Sequence, residues 1–117
     1  MMQVLKNEVF HLDVIIEAED DLFTAHCLQF DIVSDGRTIE EAKEMIIDAI
    51  LEYLTFAIEN DLLDEVYKPA PIEYWQKLSK INRKKERYIG EESKLKHFIP
   101  EIDFLSELDT EEGTANV

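Results

Sequence analysis

The fold is decided by residues 38–60, which read TIEEAKEMIIDAILEYLTFAIEN and contain neither glycine nor proline. The stretch opens with Thr38-Ile39-Glu40-Glu41, a capping box in which the threonine accepts a hydrogen bond from the amide at the third helical position and Glu41 reaches back. Such a cap before an uninterrupted apolar repeat marks the start of a helix. We therefore predict one long helix from Ile39 to about Asn60.

This predicted helix carries two apolar stripes. The first stripe, at helical spacing, consists of Ile39, Ala42, Ile46, Ala49, Ile50, Tyr53 and Ala57. The second, adjacent stripe consists of Ile47, Leu51, Leu54 and Ile58. Acids and Thr55 line the remaining face. Two stripes present more apolar surface than a three-stranded sheet can cover. We therefore expect the second stripe to pack against the C-terminal half of the chain or against another subunit.

Three strands are predicted before the helix. Residues 9–18 alternate between apolar and polar, as in a half-buried strand, and a second strand follows over 23–28 after an acidic turn at 19–21. The register that buries the apolar set brings together Val14, Ile16 and Ala18 with Phe23, Ala25 and Cys27. A short third strand at 32–33 ends at Ser34-Asp35-Gly36, where we expect glycine to adopt a positive φ.

The C-terminal half is predicted to be helical. Pro71 suits the first position of a helix that we expect over 71–88, with Gly90 ending it. Pro100 is expected to open a further amphipathic turn or two. The predicted organisation is an α+β domain over 1–68, in which an antiparallel β-β-β sheet is packed by one long helix, a helical extension packing on it over 69–108, and a flexible acidic tail over 109–117.

Six apolar residues are candidates for a partner or oligomer interface: Ile47, Leu51, Leu54, Ile58, Tyr74 and Trp75. Exposed aromatic residues often anchor interfaces. The helical spacing of Tyr74 and Trp75 with Leu78 and Ile81 also fits packing within the chain, and that alternative stays open.

The net charge disfavours some classes of binding partner and favours others. The 117 residues carry a net charge of −15, which repels phosphate backbones and makes direct nucleic-acid binding improbable. A basic stretch over 83–87 is read as a solvated helix end rather than an RNA contact. An acidic surface attracts basic proteins, although it can also serve solubility alone. A single cysteine and the absence of a long apolar run predict a cytoplasmic protein without a membrane segment.

No catalytic pattern is found. His11 and His26, with Asp13 and Glu17 nearby, could hold a metal on one sheet face, but no tight ligand spacing supports a site, and half-exposed polar residues are the preferred interpretation. Cys27 is predicted to point into the core as a structural thiol. We expect neither enzymatic activity nor a cofactor or metal.

The order strand, acidic turn, strand, short strand, then Gly36, Thr38, Glu40, Glu41 and Ala42 opening a long helix resembles the HicB antitoxin family over roughly residues 9–60. This resemblance implies a partial double-stranded-RNA-binding-like fold and a non-catalytic role. It also implies a small basic partner, a HicA-like mRNA-cleaving toxin, whose site the antitoxin occludes. The C-terminal half does not have the pattern of the DNA-binding modules that many members carry.

Two hypotheses follow from these observations. In the first, the chain is a protein-binding module that sequesters a small basic protein. In the second, it is a self-associating scaffold or regulator without a toxin, in which the wide apolar arc of the helix buries a two-fold interface.

Overall fold

The computed structural model describes residues 8–81, 86–90 and 98–106, and these form an α+β fold with one five-stranded mixed sheet. The elements are β1 Glu8–Glu19, β2 Leu22–Cys27, β3 Ile32–Gly36, α1 Ile39–Glu59, a 3-10 turn Leu63–Glu65, α2 Ile72–Lys80, β4 Glu86–Ile89 and β5 Phe98–Ser106. The strand order across the sheet is β3-β2-β1-β5-β4. β1 and β5 run parallel, and the other neighbouring pairs run antiparallel.

The predicted hairpin register is confirmed. Val14 lies opposite Cys27, Ile16 opposite Ala25 and Ala18 opposite Phe23. A shift of one residue would have turned the apolar side chains of β1 toward the other face. The turn is tight because Asp20 adopts a left-handed conformation with a φ of 57°, which a short polar side chain tolerates.

The N-terminal cap of α1 is confirmed, with one change of partner. The Glu41 amide donates to the Thr38 hydroxyl over 3.0 Å, but the Glu41 carboxylate accepts from the Arg37 amide rather than from that of Thr38. The expectation of a positive φ at Gly36 is wrong. Glycine is needed there because a Cβ would lie 2.5 Å from the Ala42 nitrogen, so the end of β3 abuts the first turn of α1.

α1 covers one face of the sheet and closes the main core. The buried residues of this core are Phe10, Leu12, Val14, Ile16, Ala25, Cys27, Phe30, Ile39, Ala42, Ile46, Ile50, Leu54, Ala57, Val66, Ile102 and Phe104. The even positions of β1 thus point toward α1, and β5 extends the same apolar surface. The long helix was predicted from the sequence, whereas the contribution of β5 was not.

α2 packs on the opposite face of the sheet. Ile15, which faces away from α1, forms a second apolar cluster with Leu28 and Ala70. The residues of α2 and its C-cap that pack on this cluster are Tyr74, Trp75, Leu78 and Ile81. The expectation that this segment docks on the second stripe of α1 is therefore wrong, because the sheet lies between the two helices.

Among the described residues of the C-terminal half, the helical prediction holds for Ile72–Lys80. Residues 86–89 form β4, where helix was expected, and 98–106 form β5, where an amphipathic turn was expected. β5 fits along β1 and alternates between half-buried and buried side chains from Ile99 to Ser106, so its period is that of a strand. The predicted tail at 109–117 lies outside the described residues.

Neither helix described here combines the length and apolar character needed to cross a bilayer.

Candidate protein-binding surface

The four predicted interface residues on α1 do not form an open stripe. Leu54 is 0% exposed and belongs to the core between α1 and the sheet. Ile47, Leu51 and Ile58 are half-buried and pack against the margin of that core. Most of the apolar surface of the second stripe is therefore packed within the chain. On this stripe, a partner could contact only the exposed parts of these three side chains.

Tyr74 and Trp75 lie on the other side of the sheet from those residues. The Tyr74 ring meets the His26 ring edge-on, with ring centroids 4.5 Å apart. The Trp75 indole N–H donates to the carbonyl of Ala70 over 3.0 Å, which fixes the start of α2 to the preceding segment. Both side chains are half-buried against the second cluster, so they hold α2 in place, and the six predicted residues do not make one continuous interface.

The two histidines of the sheet do not converge on a metal site. His26 is buried, and its Nε2 lies 2.7 Å from Asp31 Oδ1. His11 pairs through Nδ1 with Glu101 at 2.7 Å. Within the described residues, no group of His, Cys, Asp or Glu is arranged to hold a metal ion. Each histidine has its own carboxylate partner on its own part of the sheet.

Cys27 is enclosed by the core, as predicted. Burial raises the pKa of its thiol to about 12, because a thiolate there would lose its hydration. The side chain is thus neutral at physiological pH and has the character of a structural thiol rather than a nucleophile.

The outer face of α1 carries a series of exposed acids. The exposed acids on this face are Glu40, Glu41, Glu44, Asp48, Glu52 and Glu59. Among the described residues, Glu44, Asp48, Glu52 and Glu59 have no basic partner. Their charge is therefore presented to solvent without neutralisation.

Two of the described basic residues, Lys43 and Arg87, pair with acids of β4 and β5. Lys43 is buried beside the Phe104 ring and pairs with Glu86, which ties α1 to β4. Arg87 of β4 donates to both carboxylate oxygens of Asp103, at 2.6 and 3.1 Å, and its pKa is raised by these hydrogen bonds. Arg87 is the one basic residue of the predicted basic stretch that the structure describes, and its guanidinium makes an intramolecular contact.

Apolar side chains interrupt this acidic face. Phe56 is 59% exposed, an unusual environment for a phenylalanine, and Met45 is 47% exposed. A shallow depression on the face is lined by Asp48, Leu51, Glu52, Thr55, Phe56 and Glu59. This surface, defined by those six residues, is hereafter called the α1 groove.

Sequence reasoning identified Leu51 in the α1 groove but missed Phe56. The phenylalanine belongs to neither apolar stripe, since it lies on the side of the helix that carries acids. A large aromatic residue out of phase with the core-facing stripe, between acids on the same helix, was the signal that could have identified it.

Comparison of the chain with protein-family models, with curated proteins and with solved structures gives no significant match.

Proposed function

We propose that this protein is a non-catalytic binding module that sequesters a small basic protein. The observation that carries the proposal is the outer face of α1, where Glu44, Asp48, Glu52 and Glu59 are exposed without basic partners among the described residues. Exposed charge of one sign, within a chain of net charge −15, accelerates and orients the encounter with a partner of opposite charge. The exposed Phe56 supplies the apolar contact that a purely charged surface lacks.

The same charge argues against self-association through this face. A two-fold dimer built on α1 would bring like residues together, so Asp48 and Glu52 of one copy would approach the same acids of the other. Like charges placed across an interface weaken association. The α1 groove therefore suits a basic partner better than a second copy of this chain.

A self-associating scaffold remains the second candidate, through a different surface. β3 lies at one edge of the described sheet, and Val33 on this strand is 58% exposed. Edge strands offer backbone groups that can pair with another strand. Two copies joined at β3 would form one continuous sheet.

The resemblance to HicB antitoxins makes the proposal more specific. The family-like residues occupy the junction between β3 and α1, where Thr38 caps the helix and Gly36 permits its close approach. We propose that β1, β2, β3 and α1 correspond to the partial double-stranded-RNA-binding-like unit of that family, with β4 and β5 as additions. On this basis the partner is a small basic ribonuclease of the HicA type, and occlusion of its site is the activity.

The proposal can be tested with purified components. Light scattering after size-exclusion chromatography would give the mass of the chain alone and with the small basic protein isolated from its native cytosol. A stoichiometric complex, and loss of RNA cleavage by the basic protein on addition of the chain, are the expected results. A chain that forms oligomers alone and leaves the basic protein and its RNA cleavage unchanged would instead support the scaffold.

A further inference from the structure

The C-terminal end of α1 concentrates negative charge around one exposed aromatic ring. Residues three and four positions apart are neighbours on a helix surface. Phe56 therefore lies between Glu52, one turn before it, and Glu59, one turn after it, and all three line the α1 groove. The backbone here is held by Asn60, whose amide and side chain both donate to the carbonyl of Phe56.

The electrostatics of this helix end are unfavourable for the isolated chain. Carbonyl groups at a helix C-terminus carry partial negative charge and are stabilised by basic side chains, but the last turn of α1 contains none. Acids continue beyond it, since Asp61, Asp64 and Glu65 are all exposed. A cation placed at this point would meet the helix dipole, several carboxylates and an aromatic ring together.

We propose that Glu52, Phe56 and Glu59 form a binding site for an arginine side chain of the basic partner. A guanidinium stacks on an aromatic face and donates to a carboxylate in the same plane, whereas an ammonium group is a compact, strongly hydrated point charge. The aliphatic stem of the arginine covers the apolar part of the α1 groove near Leu51. This inference rests on the proposed function and specifies the anchor within it.

Charge complementarity selects this occupant over the alternatives. A second copy of the chain carries the same net charge of −15, so like charge opposes its approach to this acidic face. An acidic or neutral partner would supply no positive charge to pair with Glu52 and Glu59. An arginine-bearing segment satisfies the ring and both carboxylates at once.

The test uses the full chain and two synthetic probes. One is a capped, alanine-rich helical peptide that carries arginines one turn apart, and the other is the same peptide with lysines. Binding is measured by titration in moderate salt for the wild type, for Phe56→Leu, and for Glu52→Gln/Glu59→Gln. The matched control is Asp20→Asn/Asp21→Asn, which removes the same charge from the exposed hairpin turn.

We expect the arginine peptide to bind more tightly than the lysine peptide. Phe56→Leu should weaken the arginine peptide about fivefold and largely remove its advantage over lysine, because leucine keeps apolar area but has no aromatic face. Glu52→Gln/Glu59→Gln should weaken both peptides about fivefold, and the hairpin-turn control should change binding by less than about twofold. Circular dichroism verifies that each variant is folded.

Other results would overturn the site. Equal losses in the hairpin-turn control and in Glu52→Gln/Glu59→Gln would mean that the peptides respond to the diffuse acidity of the whole chain. Equal binding of the two peptides would exclude the arginine preference. If the isolated basic protein binds the chain with an affinity that Phe56→Leu does not change, the proposed function stands and this anchor is wrong. If the anchor binds arginine but no basic protein forms a complex, the proposed function fails instead.

Discussion

At the scale of single residues, Gly36 shows how a backbone contact sets the position of α1. A Cβ at this residue would lie 2.5 Å from the Ala42 nitrogen and 2.8 Å from the Glu41 carbonyl carbon, so backbone atoms would have to move. The sequence indicated that glycine was required at the end of β3. It could not show that the reason is a close approach, because that depends on where the helix lies in space.

The first prediction concerns this contact. Gly36→Ala should lower the free energy of unfolding by about 2 kcal/mol, as overpacking against a rigid neighbour does. The control Asp35→Ala, at an exposed position one residue earlier, should change it by less than about 0.5 kcal/mol. Urea denaturation measures both, and equal stability of Gly36→Ala and wild type would refute the close-approach argument.

Cys27 links burial to the pH dependence of stability. Its pKa is raised from 9.0 to about 12 in the folded chain, so between these values the folded state holds a proton that the unfolded state has lost. The protonated thiol therefore makes its full contribution to the free energy of unfolding below about pH 9. Above that pH the free energy of unfolding falls by about 1.4 kcal/mol per pH unit.

The second prediction follows from that sign. On going from pH 8 to pH 10, wild type should lose about 1 kcal/mol more free energy of unfolding than Cys27→Ala does. The comparison is needed because burial also raises the pKa of Tyr53, which is present in both proteins. Urea denaturation at the two pH values gives the difference, and parallel losses in the two proteins would mean that Cys27 is accessible to hydroxide in the folded state.

At the scale of elements, α1 divides into residues that close the core and residues that face solvent. The periodicity of its sequence located the helix and its core-facing stripe correctly, because those signals are local. The same periodicity assigned Leu54 to an interface stripe, although this residue is fully buried beneath the helix. The boundary between the two stripes depends on which side chains the sheet covers, and periodicity does not report this.

The third prediction separates these two classes of residue. Leu54→Ala should reduce the free energy of unfolding by about 3 kcal/mol, since it removes a fully buried side chain and leaves a cavity. Leu51→Ala, at a half-buried position three residues earlier, should cost about 1 kcal/mol. Similar small losses in both variants, measured by urea denaturation, would show that Leu54 is not a core residue.

β5 illustrates an element that sequence reasoning could not find. Its pairing with β1 is parallel and joins residues far apart in the chain, so no turn signal announces it. Pro100 also argues against a central strand, because proline lacks an amide donor. In the structure Pro100 is buried near the start of β5, and its carbonyl accepts from the Gly90 amide over 2.8 Å. Phe98, Ile102 and Leu105 are four and three residues apart, which is also the spacing of a helical repeat. An amphipathic turn was therefore expected here instead of a strand.

At the scale of the whole molecule, the two faces of the sheet are covered by helices of different character. α1 buries seven residues, whereas none in α2 is fully buried. α2 is held by half-buried aromatic contacts and by an ion pair between Lys77 and Glu17 at 2.7 Å. The face of the sheet that α1 covers is thus more tightly packed than the face that α2 covers, and α1 carries the outer acidic face.

The net charge was evident from the sequence, but its arrangement was not. Several of the described basic residues form ion pairs within the chain, and Glu44, Asp48, Glu52 and Glu59 of α1 have no basic partner among the residues that the structure describes. The sequence therefore predicted a basic partner, but the interface predicted from it consisted of apolar residues of the two helices and not of the acidic face of α1. Which acids lack a basic partner depends on the pairing of Lys43 with β4 and of Arg87 with β5. These are contacts between segments far apart in the chain, so the sequence alone does not show them.

The most direct test of whether the α1 face binds a basic protein compares tagged variants of the chain in lysates of the native cells. Nuclease and moderate salt remove contacts through RNA, and mass spectrometry identifies what is retained. The α1 variant combines Glu44→Gln, Asp48→Asn, Glu52→Gln and Glu59→Gln. The charge-matched control combines Glu19→Gln, Asp20→Asn, Asp21→Asn and Asp35→Asn.

We expect wild type and the charge-matched control each to retain one small basic protein in stoichiometric amount, and the α1 variant to lose it. If the α1 variant retains the basic protein as well as the control does, or if wild type recovers no partner, the α1 face does not bind a basic protein.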